Sequence, residues 1–354
     1  MIFRERALNT AVDRLERALE ERDDALLNEA FGQLRDAFEE AKPKSSAEVG
    51  PRLANLLPRT PLGAAAILAV MIGACVENGA DPQACSWPVL AGVRDALRDV
   101  AGFPALWAEA VGEDLPERDH LALGEVLERV AASAGGLKEG RFAAVSAWMQ
   151  LPLWEMAAVA MLSREEIRRA VQADGTLVAL AEEVALGDAD LKCLRYLLKM
   201  FHDEPLVVLH RPTGTGYRMR VTRIGDNFQL HTLIGHLLIG GGHIAGEPPS
   251  AEAVAASRDA AVDPDRAPKT TGAFNLAGVD GAWLWNEGCP ADIPVVDGER
   301  VLVLDPPTYE RTWNAGRFYP HITGELTLEA VLDRAETEAY LAKAAPRRMW
   351  PDGD

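Results

Sequence analysis

Cysteine is sparse in this 354-residue chain: Cys75, Cys85, Cys193 and Cys289 are the only four, and no two form a CxxC pair. Neither a zinc ribbon nor a disulfide framework is therefore indicated. Lysine is scarcer than arginine, 7 residues against 29, a bias of codon usage that points to a GC-rich bacterial genome. Positive charge is in deficit everywhere. Residues 1–200 hold 32 acids and 22 bases, residues 201–354 hold 22 and 14, and the net charge is -18. Without a cationic footprint to displace phosphate counterions, nucleic acid is not expected as a partner. No segment pairs an apolar face with a Lys/Arg-rich one, so a membrane surface is not expected either. The longest apolar run, Leu62 to Val76, has 15 residues, whereas a spanning helix needs about 20. It reads as a buried core helix. The first residues are charged (Arg4, Glu5, Arg6) instead of forming an apolar secretory segment, which makes cytoplasmic localisation the expectation.

What the chain does have is an ordinary globular balance, 48% hydrophobic and 25% charged, enough for two packed lobes. Apolar residues recur at steps of three to four from Leu8 to Leu19 and again from Leu27 to Phe38, which predicts two amphipathic helices broken near Asp23. The stretch from Pro43 to Ser46 reads as a hinge. Thr60 before Pro61 predicts an N-cap for the apolar run, and Asn78-Gly79 its stop. Further helices are expected over residues 86–101, 117–132, 141–162, 163–173, with Ser163 and Glu166 as a capping box, and 188–202.

After His202 the texture changes to β-branched runs punctuated by glycine and proline. The expected architecture is α+β, an all-helical lobe over 1–202 followed by a smaller mixed lobe over 203–354. A mostly antiparallel sheet should carry the second lobe: a hairpin of 206–210 with 217–224, and short strands at 271–276, 282–286 and 300–304, the last after an Asp297-Gly298 turn. Helices are expected from Asp226 to the triple glycine at Gly240, over 251–262, and over 327–344 at the C-terminus.

Six of the seven histidines, from His202 onward, lie in the second half of the chain. His231, His236 and His243 are the candidate metal ligands, although on a helix His231 and His236 point about 140° apart and match no HExxH pattern. The run Asp226, Asn227, Gln229, His231 crowds polar groups at a helix start. Asp226 or Asn227 serves as N-cap, and a stripe of Gln229, Thr232 and His236 faces either solvent or a pocket. Trp283 and Trp285, at alternate strand positions, precede a loop with Asn286, Glu287 and Asp292. Aromatic walls beside a few directed polar groups are what small-ligand pockets use, and core packing is the competing explanation. Arg218 and Arg220 project from one strand face and form an anion-binding candidate. Arg311 and Arg317 sit in a long loop suited to recognition.

No complete catalytic pattern is present; the TGTG turn, for example, lacks the GxxxxGKS/T and GxGxxG arrangements. The expectation is therefore a binding, regulatory or adaptor protein whose C-terminal lobe recognises a small molecule or a protein partner. The alternative is an enzyme, with or without a metal, using a His/Glu/Asp site in the same lobe. The cofactor, if any, is not legible.

Overall fold

The computed structural model describes residues 2–116, 118, 123–133, 135–186 and 190–348. The described chain divides into two compact units, residues 1–198 and 199–354, and the architecture is α+β.

The first unit is helical. A hairpin of α1 (Ile2–Glu21) and α2 (Asp24–Glu39) opens it, and Asp23 caps α2 by accepting the N–H groups of Ala25 and Leu26. The stretch expected to be a hinge is instead the first turn of α3 (Pro43–Leu56), with Pro43 in the position where a missing N–H costs nothing. The apolar run is α4 (Leu62–Glu77), buried around most of its girth. Its N-cap is Pro61, while Thr60 turns its hydroxyl back to donate to Leu56 O. No described helix is long and apolar enough to cross a membrane.

Three further helices, α5 (Pro82–Ala101), α6 (Phe103–Ala110) and α7 (Leu123–Ala131), lead to the long α8 (Glu139–Leu162). α8 packs on both α4 and α5. Close approach there depends on small residues: a Cβ on Gly92 of α5 would lie 2.7 Å from the Trp154 ring of α8. The unit finishes with α9 (Glu165–Asp174), α10 (Thr176–Leu186) and α11 (Lys192–Leu198). The expected capping box at Ser163 is absent. Ser163 ends α8 and donates to Val159 O, and Arg164 stands at the head of α9.

The second unit is built on a mixed sheet. β1 (Glu204–His210) and β2 (Thr215–Thr222) form the expected hairpin. α12 (Asn227–Gly235) runs on into a π turn, His236–Gly240, and is followed by α13 (Ala251–Arg258). Then come β3 (Lys269–Thr271), β4 (Asn275–Gly278), β5 (Val295–Val296), β6 (Glu299–Asp305), β7 (Thr312–Asn314), β8 (Glu325–Val331) and α14 (Arg334–Leu341). The strand expected at 282–286 is reduced to one bridge between Trp283 and Ala277. The expected C-terminal helix starts later, because Glu325–Val331 alternates and pairs with β2 as an edge strand before Asp333 caps α14.

The main sheet runs β4-β6-β1-β2-β8, with β5 paired to β6, and β3 and β7 form a separate two-stranded ribbon. β1 and β6 are parallel and the other neighbours antiparallel. On one face Leu206, Val208, Met219 and Leu302 pack with Leu230, Leu233 and Ile234 of α12. The opposite face, Val207, Leu209, Val301 and Val303, packs with Leu332 and with Tyr340 and Leu341 of α14. Both carboxyl ends of the parallel pair, His210 and Asp305, therefore reach the same end of the sheet.

Candidate functional site

The sequence drew attention to two polar segments, and the structure brings them together. Asp226 caps α12 by accepting Gln229 N–H at 2.8 Å. The N–H groups of Asn227 and Phe228 donate to the carbonyls of Gly288 (2.9 Å) and Asn286 (3.1 Å), and Asn227 Nδ2 donates to Trp285 O. The loop after Trp285 thus serves as a lid on the helix start, satisfying donors that helix ends leave open. The joint is buried: Asn227, Gln229, His231, Thr232 and Asn286 are all inside. Gln229 accepts from Gly225 N–H and donates to Ser257 O, so Gln229 and Thr232 of the expected polar stripe are packed inside, while His236 stays half-buried.

His231 has the most telling environment. Its Nε2 accepts two backbone N–H groups, from Ala273 at 3.1 Å and Phe274 at 3.2 Å. An acceptor Nε2 puts the proton on Nδ1, which donates to Asn286 Oδ1 at 3.4 Å. Only the neutral ring can do this, and burial pushes its pKa down from 6.5 to about 4. Both nitrogens are spent on protein, which leaves no lone pair for a metal. His236 is half-buried beside Gly240 and His243 is exposed. No group of three or more His, Cys, Asp or Glu able to hold a metal occurs among the described residues.

The remaining candidates are also engaged. Arg218 is paired with Glu299 and with Glu336 at 2.7 Å, and Arg220 with Glu329 at 2.6 Å and Asp203 at 3.2 Å. Their forks are held by carboxylates, not open to an anion. Arg317 donates to Ala256 O, Ala260 O and Pro320 O, tying down the end of α13. Asp292 accepts Cys289 N–H at 2.8 Å, and Glu287 is exposed. Arg311 donates through Nη2 to Phe274 O and Asn275 Oδ1. Its guanidinium also lies 5.2 Å from the Trp283 ring and 5.3 Å from the Tyr309 ring. Trp283 is half-buried in this cluster, and Trp285 is 46% exposed.

The concave feature of this unit lies next to these residues and was missed from sequence. A cleft of about 1020 Å³ opens at the end of the sheet where β1 stops. Its floor includes His210, Phe274, Ile239 and Ile244; one wall is the continuous run 269–274, and the others carry Pro212, Pro248, Pro249, Pro306 and Pro307. His210 hydrogen-bonds through Nδ1 to Thr213 Oγ1 at 2.8 Å, and its Nε2 has no partner among the described residues. Burial lowers its pKa, which favours the neutral ring. His231 is thus not in the cleft but behind it, pinning the wall at Ala273 and Phe274. Only the position of His210 at the end of a β-branched run hinted at this, because the parallel pairing that makes strand ends converge cannot be read from one sequence.

Comparison with family models, curated proteins and solved structures gave no match.

Proposed function

We propose that this is a binding or regulatory protein whose second unit takes its ligand in the cleft beside His210. The observation that carries this reading is the cleft itself, about 1020 Å³, where prolines, Ile239, Ile244 and Phe274 stand beside polar groups such as His210, Thr213 and Ser250. Ligand sites combine these properties, at roughly 300–1,000 Å³. The wall 269–274 is held by His231 and Arg311, so the shape is preset before any ligand arrives. One imidazole nitrogen, His210 Nε2, is left to hydrogen-bond with the occupant, as donor or acceptor according to the tautomer.

The enzyme reading has less support. The His, Glu and Asp residues that motivated it do not line this cleft, and the charged side chains that do, Glu247, Lys269 and Glu310, are exposed at its rim. A fragment library screened by amide hydrogen exchange on the full chain tests the proposal. Hits should protect residues 269–274, and Ala245→Trp, which adds bulk at an exposed residue lining the cleft, should abolish that protection. Hits that protect other segments, or that act equally on Ala245→Trp, would remove the basis for the reading.

A further inference from the structure

The hydrogen-bond register of the two-stranded ribbon leaves one strand edge open. Gly272 N–H donates to Arg311 O at 2.8 Å, and Ala315 N–H donates to Pro268 O at 2.7 Å. In an antiparallel pair, bonded and non-bonded positions alternate, so the backbones of Pro268, Thr270 and Gly272 face β7. Those of Lys269 and Thr271 face away. Their N–H and C=O groups have no partner among the described residues. The strand has no proline and no bulge to blunt that edge, and it belongs to the wall of the cleft.

The other walls narrow the choice of occupant. The five prolines offer no N–H, and the side chains of Phe274, Ile239 and Ile244 are apolar. Besides the side chains of Thr213, Ser250, Glu247 and Glu310, an occupant with a polar backbone finds a run of open backbone groups at two residues spaced i and i+2, with His210 Nε2 nearby. An extended chain presents this pattern, because its N–H and C=O groups alternate sides with the same two-residue period. The charge of the rim sets a further condition: Glu247 and Glu310 outnumber Lys269, so a basic side chain on the occupant is matched and an acidic one is repelled.

We infer that the cleft binds an extended, basic segment of a partner protein, which adds as a strand to the free edge of β3. This rests on the cleft being the binding site, and it goes further by naming the ligand class. The test uses the full chain and fluorescent eight-residue peptides of alternating Lys and Val. Each is compared with its Glu-for-Lys counterpart and with two backbone N-methylated forms, blocked at odd or at even amides. The expected result is binding of the Lys peptide, loss of binding with Glu, and a loss of about tenfold or more for one N-methylation phase only, since about two backbone hydrogen bonds are at stake.

Thr271→Pro supplies a second test. It removes an N–H on the edge turned away from β7 and leaves the bonds to β7 in place, so it should weaken the Lys peptide while the unfolding midpoint is retained. Equal effects of the two N-methylation phases would overturn the strand-addition inference, as would concentration-dependent dimers of the chain abolished by Thr271→Pro, which would assign the edge to a second copy. If no peptide binds while fragments still protect 269–274, the peptide inference fails and the cleft reading survives. If the Lys peptide binds Ala245→Trp as well as the native chain, the cleft reading fails.

Discussion

Replacing His231 by leucine is the sharpest test of how the cleft wall is held. The imidazole occupies a site with 2% exposure and accepts two backbone N–H groups, from Ala273 and Phe274. Leucine has similar bulk and no acceptor, so both donors would be left buried and unpaired, at about 1–3 kcal/mol each. The expected loss is about 2–6 kcal/mol. With a urea dependence of about 2 kcal/mol per molar, the unfolding midpoint of the second unit should fall by about 1–3 M. Equilibrium urea titration followed by tryptophan fluorescence and far-UV circular dichroism measures it.

The same side chain makes a pH prediction. Its folded pKa is about 4 against an ordinary 6.5, so the unfolded chain takes up the proton first and stability rises with pH across that interval. Above about pH 6.5 the contribution is complete. It is lost as pH falls toward 4 and amounts to roughly 3 kcal/mol at 1.36 kcal/mol per pKa unit. His210 is shifted in the same direction, so the measure is the difference in pH slope between the native chain and His231→Leu. An unchanged midpoint in the variant, or an unchanged slope between pH 4 and 6.5, would refute the assignment.

Other substitutions probe neighbouring contacts. Gly272→Ala would place a Cβ 3.0 Å from the Trp313 ring and 3.3 Å from His231 Cε1, and should cost about 1–3 kcal/mol by overpacking in thermal or urea unfolding. Arg311→Lys keeps the charge but cannot reproduce the donation to Phe274 O and Asn275 Oδ1 or the planar approach to Trp283 and Tyr309. A loss of about 1–3 kcal/mol and a changed near-UV spectrum are expected. Burial raises the thiols of Cys75 to about 12 and of Cys85 and Cys289 to about 11. Alkylation of the native protein at pH 8, read by mass spectrometry, should therefore reach Cys193, which is partly exposed, before the other three. In Gly50→Ala a new Cβ would meet Ala80 and Cys75 at 2.9 Å, which should lower the melting temperature of the first unit by several degrees.

The parts of the fold readable from sequence were those with local causes. The apolar run of α4, the break at Asp23 and the hairpin of β1 and β2 each have a period, a cap or a turn behind them. The misreadings have local causes too. Pro43 reads as a breaker or as a helix start with equal ease, and Glu325–Val331 is rich in residues that also suit helices until pairing with β2 decides the matter. For the site, the sequence located the densest polar cluster and its two segments do meet. Their meeting seals a helix end, because Asn227, Asn286 and His231 find partners in one another and in the backbone. The concavity is made by strand ends and proline loops from four separate stretches of chain. No single window of sequence holds that arrangement.

The parallel pairing of β1 with β6 has a kinetic consequence. Arg211 and Asp305, bonded at the end of that pair, stand 94 residues apart in the chain. Closing so long a loop must come before the central contact yields any gain, and topologies dominated by such distant pairings fold slowly. The β1–β2 hairpin can assemble early by itself, whereas the ordered cleft must await arrival of β6. A newly made chain would therefore carry helices and a hairpin well before its cleft exists.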